Sequence, residues 1–486
     1  MEVVALPCQP MGSIHDLTGL QLAAAIRSRR LSVPEVTEHY LDRIERLDDR
    51  LGAFVTVTPA LARAAAGRAE EQRAAGDLPP LFGVPTGVKD LTMTAGVRTT
   101  YGSALFRDHV PDVSDEVVLR MEAAGLISLG KTNAPEFGAP CYTEPEVAPP
   151  ARTPYDLTRS AGGSSGGAAA AVAAGLLPWA HGSDGGGSIR IPASVCGVVG
   201  LKPSRGRVSA APVYGDVANL STSGPLTRTV RDAAAFLDAI AGPATGDPAW
   251  AAPLPPDQSF LGWCDREPTS LRVARFATPM VPDAEVDPEC LTAYDRTAKL
   301  LSELGHEVAD IASPVDESVI ATFETVWAVS TGSWPIEAAG EPLLRPLTRW
   351  LRERSRAVSG ADYGRALVHL RQVAARAVRA LATYDAVLTP TLAQLPALVG
   401  ALRDDDDPAA DFAAQKRFTP FAALWNMTGM PAISLPLHWS SGGLPVGVML
   451  AGRPAQDHLL LSLAAQLEAA EPWHDRHPPC WEASPR

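Results

Sequence analysis

Apolar positions spaced three and four apart mark the first strong elements of the chain. Ser32 with Glu35 makes a capping box that opens a helix over VPEVTEHYLDRIERLD. Thr58-Pro59 starts a second helix that should stop near Gly76. The pattern then changes period. LFGVPTGVKDLTM is apolar and β-prone up to Lys89, which places Lys89 at the end of a strand, pointing into the interior. In SDEVVLRMEAAG, Ser114 is the candidate N-cap and Gly125 the stop, and LISLG follows as a short strand. The run AAAAVAAG reads as a small-residue helix buried against a sheet.

Beyond Asp232 a helix runs to near Gly242, and the Pro/Gly-rich GPATGDPAWAAPLPPDQ reads as a surface excursion. LRVARF, PECLTAYDRTAKLLSELG and HEVADI form a strand-helix-strand unit, followed by helices over 316–384. DAVLTPT is a strand, ALRDDDDPAAD a charged loop with a solvated acid run, and RPAQDHLLLSLAAQLEAA the last helix. This alternation predicts an α/β fold: a large, mixed, mostly parallel twisted sheet with helices on both faces. The 486 residues are expected to share one large core as a single domain 1–486. Within it, 82–232 would be the core, 245–415 a looser, largely helical substrate lobe, and 418–470 a return to the core sheet and last helix.

Composition narrows the class. With 46% hydrophobic and 20% charged residues the chain reads as a globular protein in water. A net charge of −13, with no Lys/Arg cluster, argues against nucleic acid as a partner. No run of about eighteen apolar residues occurs, so no membrane span is expected, and MEVVALPCQPMGSIHD lacks the basic start of a secretory signal. Cys8, Cys141, Cys196, Cys264, Cys290 and Cys480 are scattered without a CxxC pair, which suggests neither a zinc knuckle nor a disulfide framework. A reducing cytoplasm is the expected location, and a homodimer is left open.

The candidate chemistry lies in two Gly/Ser nests, GGSSGG at 162–167 and GGGS at 185–188. Glycine lets backbone N–H groups converge on a small anion, so an oxyanion site made by Gly185, Gly186, Gly187 and Ser188 fits. A flexible linker is the bland reading, but linkers are not followed by an apolar helix and an IPASVC core run. A phosphate loop would need Gly-Lys-Ser/Thr, which is absent. For the inward Lys89 the ordinary explanation is a salt bridge to Asp90 or another acid.

These stretches together resemble the amidase signature family, serine hydrolases with a Ser-Ser-Lys triad. The resemblance runs over 82–232, including LGKTNAPEFG and SGPLTRTVRD, and again over 418–452. It implies Ser188 as nucleophile, Ser164 as a bridging serine preceded by a cis peptide, and Lys89 as base. Ser165, Asp184 and Arg190 match positions that brace the site. Gly138, Cys141 and Thr143 are candidates for the substrate pocket. The implied substrate is a small-molecule linear amide, cleaved through an acyl-serine. For this Lys89 must be neutral, which burial among apolar neighbours and Gly N–H dipoles would favour. KPSRGRVS, TEPE and ASVCGVVG resemble stand-alone amidases, including the nylon cyclic-dimer hydrolase branch. No metal and no organic cofactor are expected, since HExxH is absent.

Three other readings compete. Residues 162–166 also satisfy G-x-S-x-G, the nucleophile elbow, which would make Ser164 the attacker and require a histidine base such as His181, His306, His369, His438 or His458. The glutamine-hydrolysing subunit of an amidotransferase would be expected to continue differently after KPSRGRVS than AAPVYGDVANLSTSGPL. A catalytically inactive binding or scaffold protein is disfavoured by the presence of all three triad residues. Gly185 and Thr153 depart from the family pattern, which usually has a side chain and Asn there.

Overall fold

A computed structural model describes residues 13–73, 76 and 78–482, and among these described residues there are eleven strands. Cys8 and the opening segment before it lie outside the described residues. The strands are β1 Phe54–Val57, β2 Pro85–Lys89, β3 Ile127–Thr132, β4 Trp179–Asp184, β5 Val199–Lys202, β6 Thr222–Thr227, β7 Arg272–Arg275, β8 Glu307–Asp310, β9 Ala386–Pro390, β10 Ala432–Trp439 and β11 Pro445–Gly452. A small sheet has the order β1-β3-β2, and an eight-stranded sheet the order β4-β6-β5-β10-β11-β9-β7-β8.

The large sheet is mixed, as its alternating sequence implies, but the expectation of mostly parallel pairing is corrected. Only β9 with β7 and β7 with β8 are parallel; the other five neighbour pairs are antiparallel. The cause is strand insertion. β4 and β5 run the same way, joined through the helix Arg190–Cys196, yet β6 lies between them and opposes both. The β10–β11 hairpin is likewise inserted between β5 and β9. The strand-helix-strand unit at β7 and β8, with the helix Pro288–Glu303 between them, pairs in parallel as its sequence suggests.

The capping box at Ser32 forms, with Ser32 Oγ accepting from Glu35 N–H at 3.2 Å and Glu35 closing back on Ser32 N–H. Ser114 does not cap its helix. That helix spans Glu116–Ala123 with Asp115 at the cap and no side-chain bond. Ser114 Oγ instead accepts from Ala95 N–H and Asp115 from Met93 N–H, both at 2.9 Å, so these side chains hold the 93–95 loop. The stretch read as an acidic loop also differs. Asp407 caps a helix, Pro408–Phe418, accepting from Ala409 and Ala410 N–H, and Asp411 inside it is buried. Only the acids before it face solvent, where Asp405 pairs with Arg345 and Arg403.

The alanine-rich helix Gly166–Ala173 is buried at every residue. A Cβ on Gly167 would fall 2.3 Å from the Ala53 carbonyl and 2.4 Å from Asn133 N, so only glycine permits this approach to the end of the small sheet. The helix thereby fixes the first Gly/Ser nest against the strand end that carries Lys89. Among the described residues no helix is long and apolar enough to cross a membrane.

Candidate active site

Lys89 closes β2 with a side chain that is fully buried. Its Nζ lies 2.8 Å from Ser164 Oγ, 3.0 Å from the Ser183 carbonyl and 3.0 Å from Ser183 Oγ. No carboxylate pairs with it among the described residues. Asp90, the partner a structural reading would choose, accepts from Thr100 through both its N–H and its hydroxyl. Burial lowers the Lys89 pKa to about 7, only partly opposed by the nearby Asp184 charge. A neutral amine in this position keeps two N–H groups for Ser183 and a lone pair for the Ser164 hydroxyl.

The Gly163–Ser164 peptide is cis. Beside it, Ser165 N–H donates to the Ser188 carbonyl at 3.0 Å, which ties the two serine turns together. Ser165 Oγ donates to the Ser183 carbonyl at 3.2 Å, sharing that acceptor with Lys89. Gly138 adopts φ +68°, and a Cβ there would lie 3.2 Å from Ser164 Oγ.

The second nest is held from below by Asp184 and Arg190, both fully buried. Arg190 donates to the two carboxylate oxygens at 2.9 Å each and to Asn426 Oδ1 at 2.7 Å. Burial alone would raise the Asp184 carboxyl, but Arg190 overcomes this and holds it well below the usual carboxylate range. The same carboxylate accepts from Gly187 N–H at 2.7 Å and from Ile189 N–H at 3.1 Å. This corrects the expected set of four oxyanion donors: Gly187 N–H is spent inward. The N–H groups of Gly185, Gly186 and Ser188 donate to no acceptor among the described residues.

Ser188 and Gly186 open on a cavity that Ala139, Cys141, Phe323 and Trp327 also line. Of the three pocket candidates, Cys141 lines this cavity; burial pushes its thiol well above the ordinary range. Gly138 instead packs against Ser164. Thr143 is not a wall residue. Its Oγ1 donates to the Gly162 carbonyl at 2.8 Å and accepts from Gly166 N–H at 3.2 Å, bracing the first nest from beneath. Thr153, where the family pattern has Asn, donates to the Val195 carbonyl at 2.8 Å.

No histidine hydrogen-bonds to either serine among the described residues. His181 accepts from Lys89 N–H at 3.4 Å and faces Ser223 Oγ at 3.1 Å, and burial draws its pKa down to about 3. Sequence reasoning missed Ser183, Asn426 and Gln415. Ser183 lies one residue before Asp184, on the same face of β4 as His181. Asn426 and Gln415 had no local signal, because the site residues they hold, Asp184 and Cys141, lie more than two hundred residues away.

This arrangement belongs to a known class. The family model Amidase matches residues 35–461, and the chain belongs to that family. It is 37% identical to the 6-aminohexanoate-cyclic-dimer hydrolase of Paenarthrobacter ureafaciens over 483 residues, covering 94% of this chain and 95% of the relative. An acylamidase of Rhodococcus erythropolis is 34% identical over 480 residues, covering 96% and 98%. A solved 6-aminohexanoate cyclic dimer hydrolase, complexed with substrate, superposes with a TM-score of 0.90 at 33% identity, covering 96% of this chain and all of that one. The fold is therefore the amidase signature α/β fold, and the protein is a hydrolase of carbon–nitrogen bonds other than peptide bonds.

Proposed function

We propose that the protein hydrolyses a linear amide of a small molecule through an acyl-serine on Ser188, with Ser164 as proton relay and Lys89 as base. The observation that carries this reading is the 2.8 Å contact between Lys89 Nζ and Ser164 Oγ, made by a lysine whose pKa is brought to about 7 by burial. A neutral Lys89 draws the proton of Ser164 as Ser164 takes that of Ser188, so that the Ser188 oxygen attacks the amide carbon. The N–H groups of Gly185, Gly186 and Ser188 receive the oxyanion. Lys89, now charged, returns its proton through Ser164 to the leaving amine. Water then enters and attacks the acyl carbon as its proton passes along the same path to Lys89; the bond to Ser188 breaks, the proton returns to the Ser188 oxygen, and the acid is released. Ser165, Asp184 and Arg190 hold the two turns in register and touch no reacting atom.

A serine-directed fluorophosphonate tests the assignment. The adduct should map to Ser188; Ser188→Ala should abolish labelling and Ser164→Ala should slow it. An adduct on Ser164, or normal turnover by Ser188→Ala, would give the attacking role to the other serine.

A further inference from the structure

Two bulky residues near the first serine turn hold left-handed backbone, Tyr101 at φ +52° and Phe137 at φ +51°. An aromatic residue does not settle there by its own preference, so contacts from elsewhere must hold both. They are bonded to each other, Phe137 N–H donating to the Tyr101 carbonyl at 2.8 Å. Each is also one step from a member of the proposed triad. Tyr101 N–H donates to the Asp90 carbonyl at 3.1 Å, and Asp90 directly follows Lys89. Phe137 precedes Gly138, where a Cβ would lie 3.2 Å from Ser164 Oγ. The 2.8 Å contact between Lys89 and Ser164 therefore joins two segments, each adjoining a strained residue.

Two rings touch both of these residues. Phe106 meets them edge-on, with centroids at 5.3 Å from Tyr101 and 6.1 Å from Phe137, from the same loop as Tyr101. Trp334 comes closer, and from a distant part of the chain, two residues beyond the helix Val319–Gly332. It stacks on Phe137 with centroids 4.5 Å apart and planes 28° from parallel, and lies tilted against Tyr101 at 5.2 Å. Its own backbone is pinned. The buried Arg352 donates to the Trp334 carbonyl at 3.0 Å and to the Gly332 carbonyl at 3.2 Å, while pairing with Glu341 at 2.9 Å. The indole is thus a fixed surface, and leaving it would cost either ring its stacking and its buried area. Trp334 itself is half-buried and does not line the cavity at Ser188.

Building on the reading of Lys89 as base and Ser164 as relay, we propose that Trp334 is a positioning residue for that pair. By holding Phe137 and Tyr101 in their left-handed conformations, it keeps Gly138 against Ser164 and keeps Asp90, and with it Lys89, in register. The helix that delivers Trp334 also carries Phe323 and Trp327 in the cavity wall, so the wall of the cavity and the proton-transfer contact share one support.

The test is inactivation of the full chain by a serine-directed fluorophosphonate, resolved into kinact and KI. Trp334→Ala should lower kinact about tenfold or more while KI holds, because the indole sets the geometry of the relay and touches nothing in the cavity. Trp334→Phe, which can still stack, should keep most of the rate. Trp334→Leu keeps the apolar bulk without the stack and should show the same loss, so the comparison stands if the alanine variant does not fold. Adding Phe137→Asn to either lesion should recover kinact several-fold, since asparagine tolerates left-handed backbone without a clamp; a role confined to stability predicts no such recovery. An unchanged kinact in folded Trp334→Ala or Trp334→Leu, a loss carried by KI, or a double variant no faster than its parent would overturn the proposal. The reading beneath it fails in the wild-type protein, through an adduct on Ser164, whereas this proposal fails in the Trp334 variants alone.

Discussion

Lys89 meets Ser164 at 2.8 Å in surroundings where its other two partners are both neutral oxygens of Ser183. With no contacting carboxylate to retain the ammonium, burial decides the equilibrium, and the pKa falls to about 7. The base form therefore predominates on the alkaline side. We predict that kcat/KM rises about tenfold per pH unit below 7 and levels off above it. Lys202 is also drawn to about 7 by burial and the Arg190 charge, but its Nζ donates to the Pro203 carbonyl at 2.9 Å and touches neither serine. The inflection should accordingly survive in Lys202→Met. Lys89→Arg should be inactive across the range, since guanidinium keeps its proton. A pH profile that keeps its inflection without Lys89 would remove lysine from the mechanism.

The same depressed pKa makes a statement about stability. Between about pH 7 and 10.5 the unfolded chain binds a proton at Lys89 that the folded chain does not, so the stability of the folded protein increases as pH rises through that window. Below pH 7 the full cost of burying this amine is present. Lys89→Met removes that cost while leaving Ser183 and Ser164 short of one partner. It should raise unfolding free energy by on the order of 2–4 kcal/mol at pH 6. The advantage should shrink towards pH 10. Urea midpoints of both proteins at the two pH values check this; an advantage that grows with pH would contradict a neutral Lys89.

Much of this site was legible because its signals are local. A capping box, a β-prone run ending on Lys89, two Gly/Ser nests and an alanine helix are each contained within a dozen residues, and each forms. What was not legible depends on residues far apart in the chain. The direction of the Gly187 N–H is decided by the Asp184 carboxylate, whose own orientation is fixed by Arg190 together with the distant Asn426. The strand order is decided by β6 entering between β4 and β5, which are consecutive in the chain, and by the β10–β11 hairpin entering between β5 and the distant β9. The helix Pro408–Phe418 was hidden because its capping Asp407 is the last of four acids, which read as one solvated turn. The cavity wall at Phe323 and Trp327 lies in the lobe where the family resemblance was loosest.

Asp184 and Arg190 give a prediction about cooperation. Removing either leaves a fully buried charge without its partner, so Asp184→Ala or Arg190→Met should each lower stability by about 3–5 kcal/mol. Because no uncompensated charge remains when both are gone, the double variant should be less destabilised than the sum of the two. Strict additivity in denaturant titrations would mean that the pair does not act as a unit. Activity should fall in all three: without Asp184, Gly187 and Ile189 lose the acceptor that holds them on either side of Ser188, and in Arg190→Met that acceptor loses the guanidinium that fixes it.

The last prediction concerns how the helix Pro408–Phe418 reaches the first serine turn. Tyr142 donates its hydroxyl to Asp411 Oδ2 at 2.6 Å, Gln415 donates to the other oxygen of Asp411, and Gln415 Oε1 accepts from Cys141 N–H at 2.9 Å. The backbone so held lies directly against the Ser164 turn, for a Cβ on Gly163 would fall 2.7 Å from Tyr142 N and 2.8 Å from Cys141 C. Neither of those atoms can swing aside as a side chain would, so Gly163→Ala should displace the turn and abolish fluorophosphonate labelling. Tyr142→Phe is the milder probe. It removes one donor from a buried carboxyl that burial already raises, and should cost about 1–3 kcal/mol of stability. If the helix positions the turn, the labelling rate of Ser188 should fall several-fold in Tyr142→Phe while substrate KM changes little. A loss of stability with an unchanged labelling rate would show that the helix supports the fold without setting the position of Ser164.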